Sequence, residues 1–340
     1  MKQEKIKNRI IIGDLHLKLE TKEYLNVLFD QIVEAVPSGR YDVVFLGDIY
    51  DGKAIIRSEI QNYLVNFLQT RVLNNPLFDN LIFLVGNHDL ENLSKTENSL
   101  KILKNLSDVD KIKIVDKPIL IDKSLYVPYL KDQSKFKKII DSFQPYEYLF
   151  CHQAISGFKY NNFGTCTDGA DPVIKAKKVF AGHFHKPQES DNIIYVGSTW
   201  SNTFNEANEQ KRFFVFKDSK LQEYQIDGLP QHRIFEFNMP EDETKPIDFK
   251  PDDKVKIIIK GKKSCLKTLS EGKFGKECFP TAQFQYIYDT ERPSFTIDES
   301  LTPTDMFDKY IDYNKETFGD IDIKTLKKAG KKYIKNFMGD

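Results

Sequence analysis

Five short apolar runs in the first two-thirds of the chain each lead directly into aspartate, asparagine or histidine. The runs are rich in β-branched residues and bounded by turn residues, a pattern that is typical of buried strands. They occupy Arg9–Ile12, Val43–Leu46, Leu81–Val85, Tyr148–Phe150 and Val179–Ala181, within the strings IIIGDLH, VVFLGDIYD, LIFLVGNHD, LFCH and VFAGHFH. Because α/β folds build their sites where strands deliver loops to one edge of a sheet, we expect the five polar ends to meet.

Apolar residues at helical spacing occupy the segments between these runs. Residues 21–36, 58–73 and 97–106 each place apolar side chains on one face of a predicted helix. Strands that alternate with helices predict an α/β architecture.

The pattern changes after residue 235, where a polar stretch with three prolines, 240–254, suits a linker or an exposed loop. A predicted strand KVKIIIKG, a short helix at 264–271 and a strand AQFQYIY follow it. The last part predicts two helices divided near Gly319. We therefore expect a large α/β domain at 1–235, a small α/β module at 236–300 and a helical tail at 301–340.

Composition restricts the compartment more than the function. Lys and Arg together number 50, as do Asp and Glu, so any affinity for nucleic acid must come from local patches. The four cysteines form no C-x-x-C pair, which argues against a zinc ribbon or a redox motif and favours a reducing compartment. No apolar stretch suits a signal peptide or approaches the ~18 residues that span a membrane. We expect a cytoplasmic protein that does not associate with membranes.

The polar strand ends offer the ligand types that hard and borderline divalent ions prefer. The candidate ligands are Asp14, His16, Asp48, Asn87, His152, His183 and His185. Seven ligands are too many for one tetrahedral zinc site and suit two ions that share a carboxylate. Two ions about 3.5–4 Å apart can clamp a phosphate and supply a hydroxide nucleophile at neutral pH. His88 is then left over beside Asn87 and is free to act as an acid.

Each string taken alone also fits an ordinary turn, and the metal interpretation depends on their combination in one order at strand ends. Supporting roles for Asp51 and Asp89 stay open, since Asp89 either orients His88 or caps a turn. The remaining histidine, His232, is interpreted as structural or exposed.

The series D-x-H, GD-x-x-D, GNHD, H and GH-x-H resembles the calcineurin-like metallophosphoesterase superfamily, with every motif in order and no ligand lost. The resemblance implies a sandwich of two mixed β-sheets flanked by helices. It implies that one ion takes Asp14, His16 and His185. The other ion would take Asn87, His152 and His183, and Asp48 would bridge the two. It also implies that His88 protonates the leaving oxygen or steadies the scissile phosphate.

Within the superfamily, the chain resembles the SbcD-type nuclease subunit of double-strand-break repair complexes, which are similar to the MRN complex, and especially its phage versions. GHFHKPQ resembles that family's last motif, and IIYVGSTWSNTFNEANEQKRFFVF resembles the segment after it. The layout is similar too, with a phosphoesterase domain, a capping module and a helical tail. GDLHLK and GDIYDG fit the protein phosphatase branch poorly.

The resemblance implies a two-metal DNA nuclease in recombination and double-strand-break repair. It would be a 3′ to 5′ exonuclease on duplex ends and an endonuclease on single strands. Manganese is the expected metal, although magnesium, iron or zinc suits the same ligands. A phage-encoded version would act in the host cytoplasm. The alternatives are a small-molecule or nucleotide phosphodiesterase with the same dimetal centre, and a non-catalytic scaffold.

The resemblance also implies a partner, an SbcC-type ATPase with a long coiled coil, and a homodimer formed through helices between the second and third motifs. The apolar faces of 58–73 and 97–106 lie in that interval, but they suit packing on their own core equally well. The second tail helix carries an apolar stripe that suits docking on the partner, formed by Leu326, Tyr333, Ile334 and Phe337. Its lysines suit contact with DNA or a solvated helix face.

Overall fold

The computed structural model describes residues 7–53, 55–92, 97–106, 109–160, 164–239, 241–242, 247–262, 281–288, 302–318 and 321–338. The fold divides into two compact units. The first extends to Phe237 and also contains the strand segment that ends at Ile258, and the second contains both C-terminal helices. The division of the chain at residues 235 and 300 stays a prediction.

The first sheet has six strands in the order β12-β11-β1-β2-β3-β4. Strands β1 to β4 run parallel to one another, and β11 and β12 join the edge of the sheet in antiparallel pairs. The strands are β1 Arg9–Ile12, β2 Tyr41–Phe45, β3 Phe78–Leu84, β4 Ile112–Val115, β11 Arg212–Lys217 and β12 Lys220–Gln225.

The second sheet also has six strands, in the order β5-β6-β7-β8-β10-β9. Its central strands β6, β7, β8 and β10 are parallel, and the edge strands β5 and β9 are antiparallel to their neighbours. The strands are β5 Ile119–Ile121, β6 Ser124–Val127, β7 Tyr148–His152, β8 Lys178–Gly182, β9 Gln188–Ser190 and β10 Ile193–Tyr195.

The two sheets share a buried core in which successive strand residues alternate between layers. Ile11 packs with Phe150 and Phe180 of the second sheet, whereas Ile10 and Ile12 pack on the opposite face of the first sheet. Sheets that are buried on both faces need continuous apolar strands, which explains the uninterrupted runs in the sequence. The predicted sandwich of two mixed sheets with helices is confirmed.

Three helices accompany the sheets: α1 Tyr24–Ala35, α2 Ser58–Phe67, which continues as a π-helix over Leu68–Val72, and α3 Ser134–Ser142. The predicted helix at 97–106 is a 3₁₀-helix, Ser99–Asn105, whose buried Leu100 and Leu103 are three residues apart as that geometry requires. The apolar face of α2, including Ile60 and Leu64, packs in the core of its own chain. This face therefore gives no support to a homodimer.

The remaining elements are the strands β13 His232–Asn238, β14 Lys254–Gly261 and β15 Gln283–Tyr288, which form a third sheet, and the tail helices α4 Pro303–Tyr313 and α5 Ile323–Met338. Helix α4 begins at Pro303, where the Thr302 hydroxyl caps the helix by accepting a hydrogen bond from the Asp305 amide at 3.2 Å. The short helix predicted at 264–271 lies outside the described residues. In the described ranges, no helix is long and apolar enough to cross a membrane.

Candidate metal centre

The polar ends of β1, β2, β3, β7 and β8 meet where the two sheets lie side by side. Hydrogen bonds join the sheets at this edge. The Nδ1–H of His152 donates to the Leu46 carbonyl at 2.7 Å, and the amide of His183 donates to Asp14 Oδ2 at 2.9 Å. The second-sheet histidines are therefore held directly against the first-sheet carboxylates.

One group of candidate ligands consists of Asp14, His16 and His185, whose ligand atoms all lie within 4.8 Å of one another. Nε2 of His185 is 3.9 Å from Asp14 Oδ2. Asp14 and His16 are buried, at 0% and 2% exposure. Asp14 Oδ1 and His16 Nε2 have no hydrogen-bond partner although both atoms are buried. Orphaned buried atoms of this kind cost free energy unless a ligand such as a cation satisfies them.

A second group consists of Asp48, His152 and His183, and Asn87 completes it. Oδ1 of Asn87 lies 3.1 Å from His152 Nε2 and 2.8 Å from His183 Nδ1. Burial, together with the nearby His152, lowers the pKa of His183 to about 3, which keeps this imidazole neutral and able to bind a metal. Burial opposes protonation of His152, but the carboxylates of Asp48 and Asp14 raise its pKa to about 9. The position therefore stabilises positive charge.

Asp48 lies between the two groups. Its Oδ2 is 3.6 Å from His16 Nε2 in the first group and 3.4 Å from His152 Nε2 in the second. This is the position that a carboxylate shared by two ions requires. The seven predicted ligands are thus brought together in two adjoining sets, and their chemistry of carboxylate, imidazole and amide oxygen fits two divalent ions.

The backbone adopts strained conformations at three of these residues. His16, Asp48 and His183 have φ values of 47°, 51° and 90°, in the left-handed region that residues other than glycine avoid. Each such residue costs about 1–3 kcal/mol, which the surrounding structure must offset. Close approach adds a second requirement, because a Cβ on Gly86 would lie 2.1 Å from Asp48 Oδ1.

His88 lies beside the two groups. Its amide donates to Asp48 Oδ1 at 2.8 Å, and its Nδ1–H donates to the Asp51 carbonyl at 2.7 Å. The hydrogen bond to the carbonyl orients the ring and leaves Nε2 available. The ring packs edge-on against His16 with centroids 4.7 Å apart. Burial lowers the pKa of His88, although the Asp48 carboxylate opposes this effect.

Asp51 and Asp89 have different surroundings. Asp51 Oδ1 is 3.4 Å from His16 Nδ1 and 3.4 Å from Lys18 Nζ, so this carboxylate faces the back of the His16 ring. Asp89 is fully buried and accepts hydrogen bonds from the Gly86 and Ile49 amides at 2.9 and 3.0 Å. Burial and the nearby Asp48 raise the pKa of Asp89 to about 7. Of the two roles left open for Asp89, its contacts match the capping of a turn.

Glu206 is a site residue that sequence reasoning did not assign. Its Oε1 accepts from His185 Nδ1 at 2.8 Å, which fixes the tautomer that leaves Nε2 for a metal. Its Oε2 accepts from Ser198 Oγ at 2.6 Å and from Lys211 Nζ at 2.9 Å. Burial opposes ionisation, but His185 and Lys211 hold the pKa of Glu206 below its usual range. In the sequence, the only signal for Glu206 was its place in the string FNE, which lies in the segment after the last motif.

Comparison with known proteins agrees with this geometry. The family model for calcineurin-like phosphoesterases matches residues 8–187. Protein 244L of Invertebrate iridescent virus 6, a predicted phosphoesterase, is 28% identical over 78% of this chain and 97% of its own length. Exonuclease subunit 1 of Enterobacteria phage T4 is 26% identical over 65% of this chain and 68% of its own length.

A solved structure that aligns with 65% of this chain and 100% of its own length has 13% identity and a TM-score of 0.41. The family model covers more than half of the chain and all seven candidate ligands. The resemblance noted in the motifs is confirmed at the level of the family. The chain belongs to the calcineurin-like phosphoesterase family.

Proposed function

We propose that this phosphoester hydrolase is a two-metal DNA nuclease, a 3′ to 5′ exonuclease on duplex ends and an endonuclease on single strands. One observation carries the proposal, namely two adjoining ligand groups that share Asp48, with His88 beside them. The choice of DNA as substrate is supported by the similarity to the exonuclease subunit of phage T4. The recognised motifs also resemble those of SbcD-type nucleases.

In the proposed centre, Asp14, His16 and His185 would hold one ion, Asn87, His152 and His183 would hold the other, and Asp48 would be shared between them. When bound, two divalent ions would act as Lewis acids on the phosphate and lower the pKa of a water molecule so that it attacks at neutral pH. Manganese is the proposed metal because the motifs resemble those of SbcD-type nucleases, and the ligands themselves suit magnesium, iron or zinc as well.

The chain's own residues orient the reactants. His88, held at Nδ1 by the Asp51 carbonyl, presents Nε2 to the phosphate and either protonates the leaving oxygen or steadies the phosphate. Glu206 fixes the ring orientation of the proposed ligand His185 through its hydrogen bond to Nδ1, and Asp51 places a carboxylate 3.4 Å from Nδ1 of His16. Asp89 keeps the loops after β2 and β3 together.

The proposed biological role is recombination and double-strand-break repair in the host cytoplasm, together with an SbcC-type coiled-coil ATPase. The T4 relative is named as a subunit, which supports the existence of a partner. The homodimer belongs to the same proposal and has no support from the buried face of α2.

A small-molecule or nucleotide phosphodiesterase with the same dimetal centre is the second candidate. It is favoured by the relative 244L, which is named only as a phosphoesterase and is matched over 97% of its length.

The test uses the purified chain with manganese on end-labelled duplex DNA, beside bis-p-nitrophenyl phosphate. We expect shortening from the 3′ end, with His88→Asn slower by about 10²–10⁴-fold because it removes an acid or a phosphate contact. Asp48→Asn should abolish activity because it removes the shared carboxylate. Hydrolysis of the small diester with DNA untouched would support the phosphodiesterase. Absence of activity on both, with metal still bound, would support the scaffold.

A further inference from the structure

We propose that the cavity beside the metal centre holds one unpaired nucleobase, that of the nucleotide next to the scissile phosphate. The cavity has a volume of about 250 Å³ and lies wholly within the first unit, between the loop after β1, the start of α1, the segment after β10 and the ends of β13 and β14. Drug-sized ligands occupy pockets of about 300–1,000 Å³, so this one suits a smaller group. The inference rests on the proposed function and names where a nucleotide substrate binds.

Two walls of the cavity are attached to the metal centre. Lys18, which lines it, follows His16 by two residues and has its Nζ 3.4 Å from Asp51 Oδ1. Asn202 lines it as well, and the Asn202 amide donates to Glu206 Oε2 at 3.2 Å. Since Glu206 also holds the proposed ligand His185, the cavity adjoins the group formed by Asp14, His16 and His185. A nucleotide whose phosphate lies on the ions therefore has the cavity within reach.

The lining combines ring faces with amides and hydroxyls. Tyr24 and His232 supply rings, Asn202 and Gln231 supply amides, and Thr21 supplies a hydroxyl. Unpaired bases are recognised by this combination, because they stack on aromatic side chains and hydrogen-bond through their edges. His232 is held by a 3.0 Å hydrogen bond between its Nδ1 and Ser201 Oγ, so its ring is fixed in place.

One polar atom of the lining residues lacks a partner. Asn202 Oδ1 is buried and makes no hydrogen bond, whereas Asn202 Nδ2 donates to the Trp200 carbonyl at 3.4 Å. An unsatisfied buried acceptor costs about 1–3 kcal/mol. Because this oxygen is buried, it is closed to a ligand in the cavity, and the amide offered to the edge of a base is that of Gln231.

The charges around the cavity favour an uncharged group over a second phosphate. The ammonium groups of Lys18 and Lys254 line it together with the carboxylate of Glu20. Burial raises the pKa of Tyr24, with Asp252 and Glu20 adding to the effect, so a second carboxylate lies close by. Burial, with Lys254 nearby, lowers the pKa of His232 and keeps that ring neutral. Two cationic and two anionic side chains leave no excess charge for an anion.

The test measures inhibition of bis-p-nitrophenyl phosphate hydrolysis by the full chain with manganese. The inhibitors are deoxyadenosine 3′- and 5′-monophosphate, and deoxyribose 5-phosphate serves as the probe without a base. We expect at least one deoxyadenosine monophosphate to inhibit about tenfold more strongly than the baseless probe, as base stacking and one hydrogen bond predict. In Gln231→Ala that advantage should fall to about twofold or less. Asn66→Ala, at an exposed position of α2, is the matched control and should behave as the unmodified chain.

Equal inhibition by the probes with and without a base would overturn the proposal, as would an advantage that survives Gln231→Ala. Tyr24→Leu, which keeps an apolar side chain at this position, tests the stacking contact separately and should also reduce the advantage. DNA cleavage is scored independently. Base-dependent inhibition without DNA cleavage would refute the nuclease and keep the base site, whereas DNA cleavage without base-dependent inhibition would refute the base site alone.

Discussion

At the scale of single residues, Glu206 fixes the tautomer of His185, a proposed metal ligand, and is not itself a proposed ligand. Its Oε1 accepts from His185 Nδ1 at 2.8 Å, so His185 offers Nε2. Glu206→Gln keeps the shape but removes the charge that supports the ligand's basicity. We expect the affinity for one of the two manganese ions to fall about 10–100-fold, as measured by titration calorimetry on the metal-stripped protein.

The chain offers a matched control for this change. Glu209 also binds the buried Lys211, with its Oε2 3.0 Å from Nζ, whereas the carboxylate that accepts from His185 Nδ1 is that of Glu206. Glu209→Gln should leave both metal affinities unchanged. Equal losses in the two variants would mean that the effect passes through Lys211 and not through the imidazole of His185.

At the scale of elements, the centre depends on how closely the ends of β2 and β3 approach each other. A Cβ on Gly86 would lie 2.1 Å from Asp48 Oδ1 and 2.3 Å from the Asp48 amide nitrogen. Gly86→Ala should therefore push the two loops apart, displacing the shared carboxylate and Asn87. We expect metal binding to be lost and the free energy of unfolding to fall by about 1–3 kcal/mol, as measured by denaturant titration.

Gly164→Ala is the control for this substitution. Among the residues that the structure describes, its Cβ would meet only the Tyr160 side chain, at 3.3 Å from Cδ2. Stability and metal binding should stay close to those of the unmodified chain. A Gly86→Ala protein that binds two ions with unchanged affinity would show that the strand ends tolerate a wider spacing.

The elements also show which features the sequence could predict. The sequence predicted that strands end near Asp14 and His152, because an apolar run stops at polar residues in both places. Buried parallel strands are continuously apolar along their length. The 3₁₀ geometry of Ser99–Asn105 did not follow, since leucines three residues apart suit both helix types.

At the scale of the whole molecule, tertiary contacts determine the features of the site that the sequence alone could not predict. Glu206 reaches His185 only because β11 and the preceding turn return to the first sheet beside β1. Whether Asp89 caps a turn or orients His88 depended on the amides of Gly86 and Ile49, which the fold brings to the Asp89 carboxylate. The clustering of the seven candidate ligands was predictable because each one ends a strand or lies within four residues after a strand's end.

We predict that the helical tail binds a partner protein and takes no part in catalysis. Helices α4 and α5 pack together through Gly330 and Phe307, and Lys327 pairs with Asp312 at 2.5 Å, so that lysine is engaged within the tail. Tyr333 of α5 is 71% exposed, on the stripe expected to dock on a coiled coil.

Deletion of 302–340 should abolish binding to an SbcC-type ATPase from the same source, measured by calorimetry, because the docking helices are lost. Manganese binding and hydrolysis of bis-p-nitrophenyl phosphate should persist, since all seven candidate ligands lie in the first unit. In the full chain, Tyr333→Ala should weaken partner binding about tenfold or more, as expected for an exposed aromatic anchor, whereas Lys328→Ala on the same helix should change it little. Unchanged partner affinity after the deletion would refute docking through the tail. Loss of DNA binding in Lys328→Ala, with partner binding intact, would instead assign the lysine face to the nucleic acid.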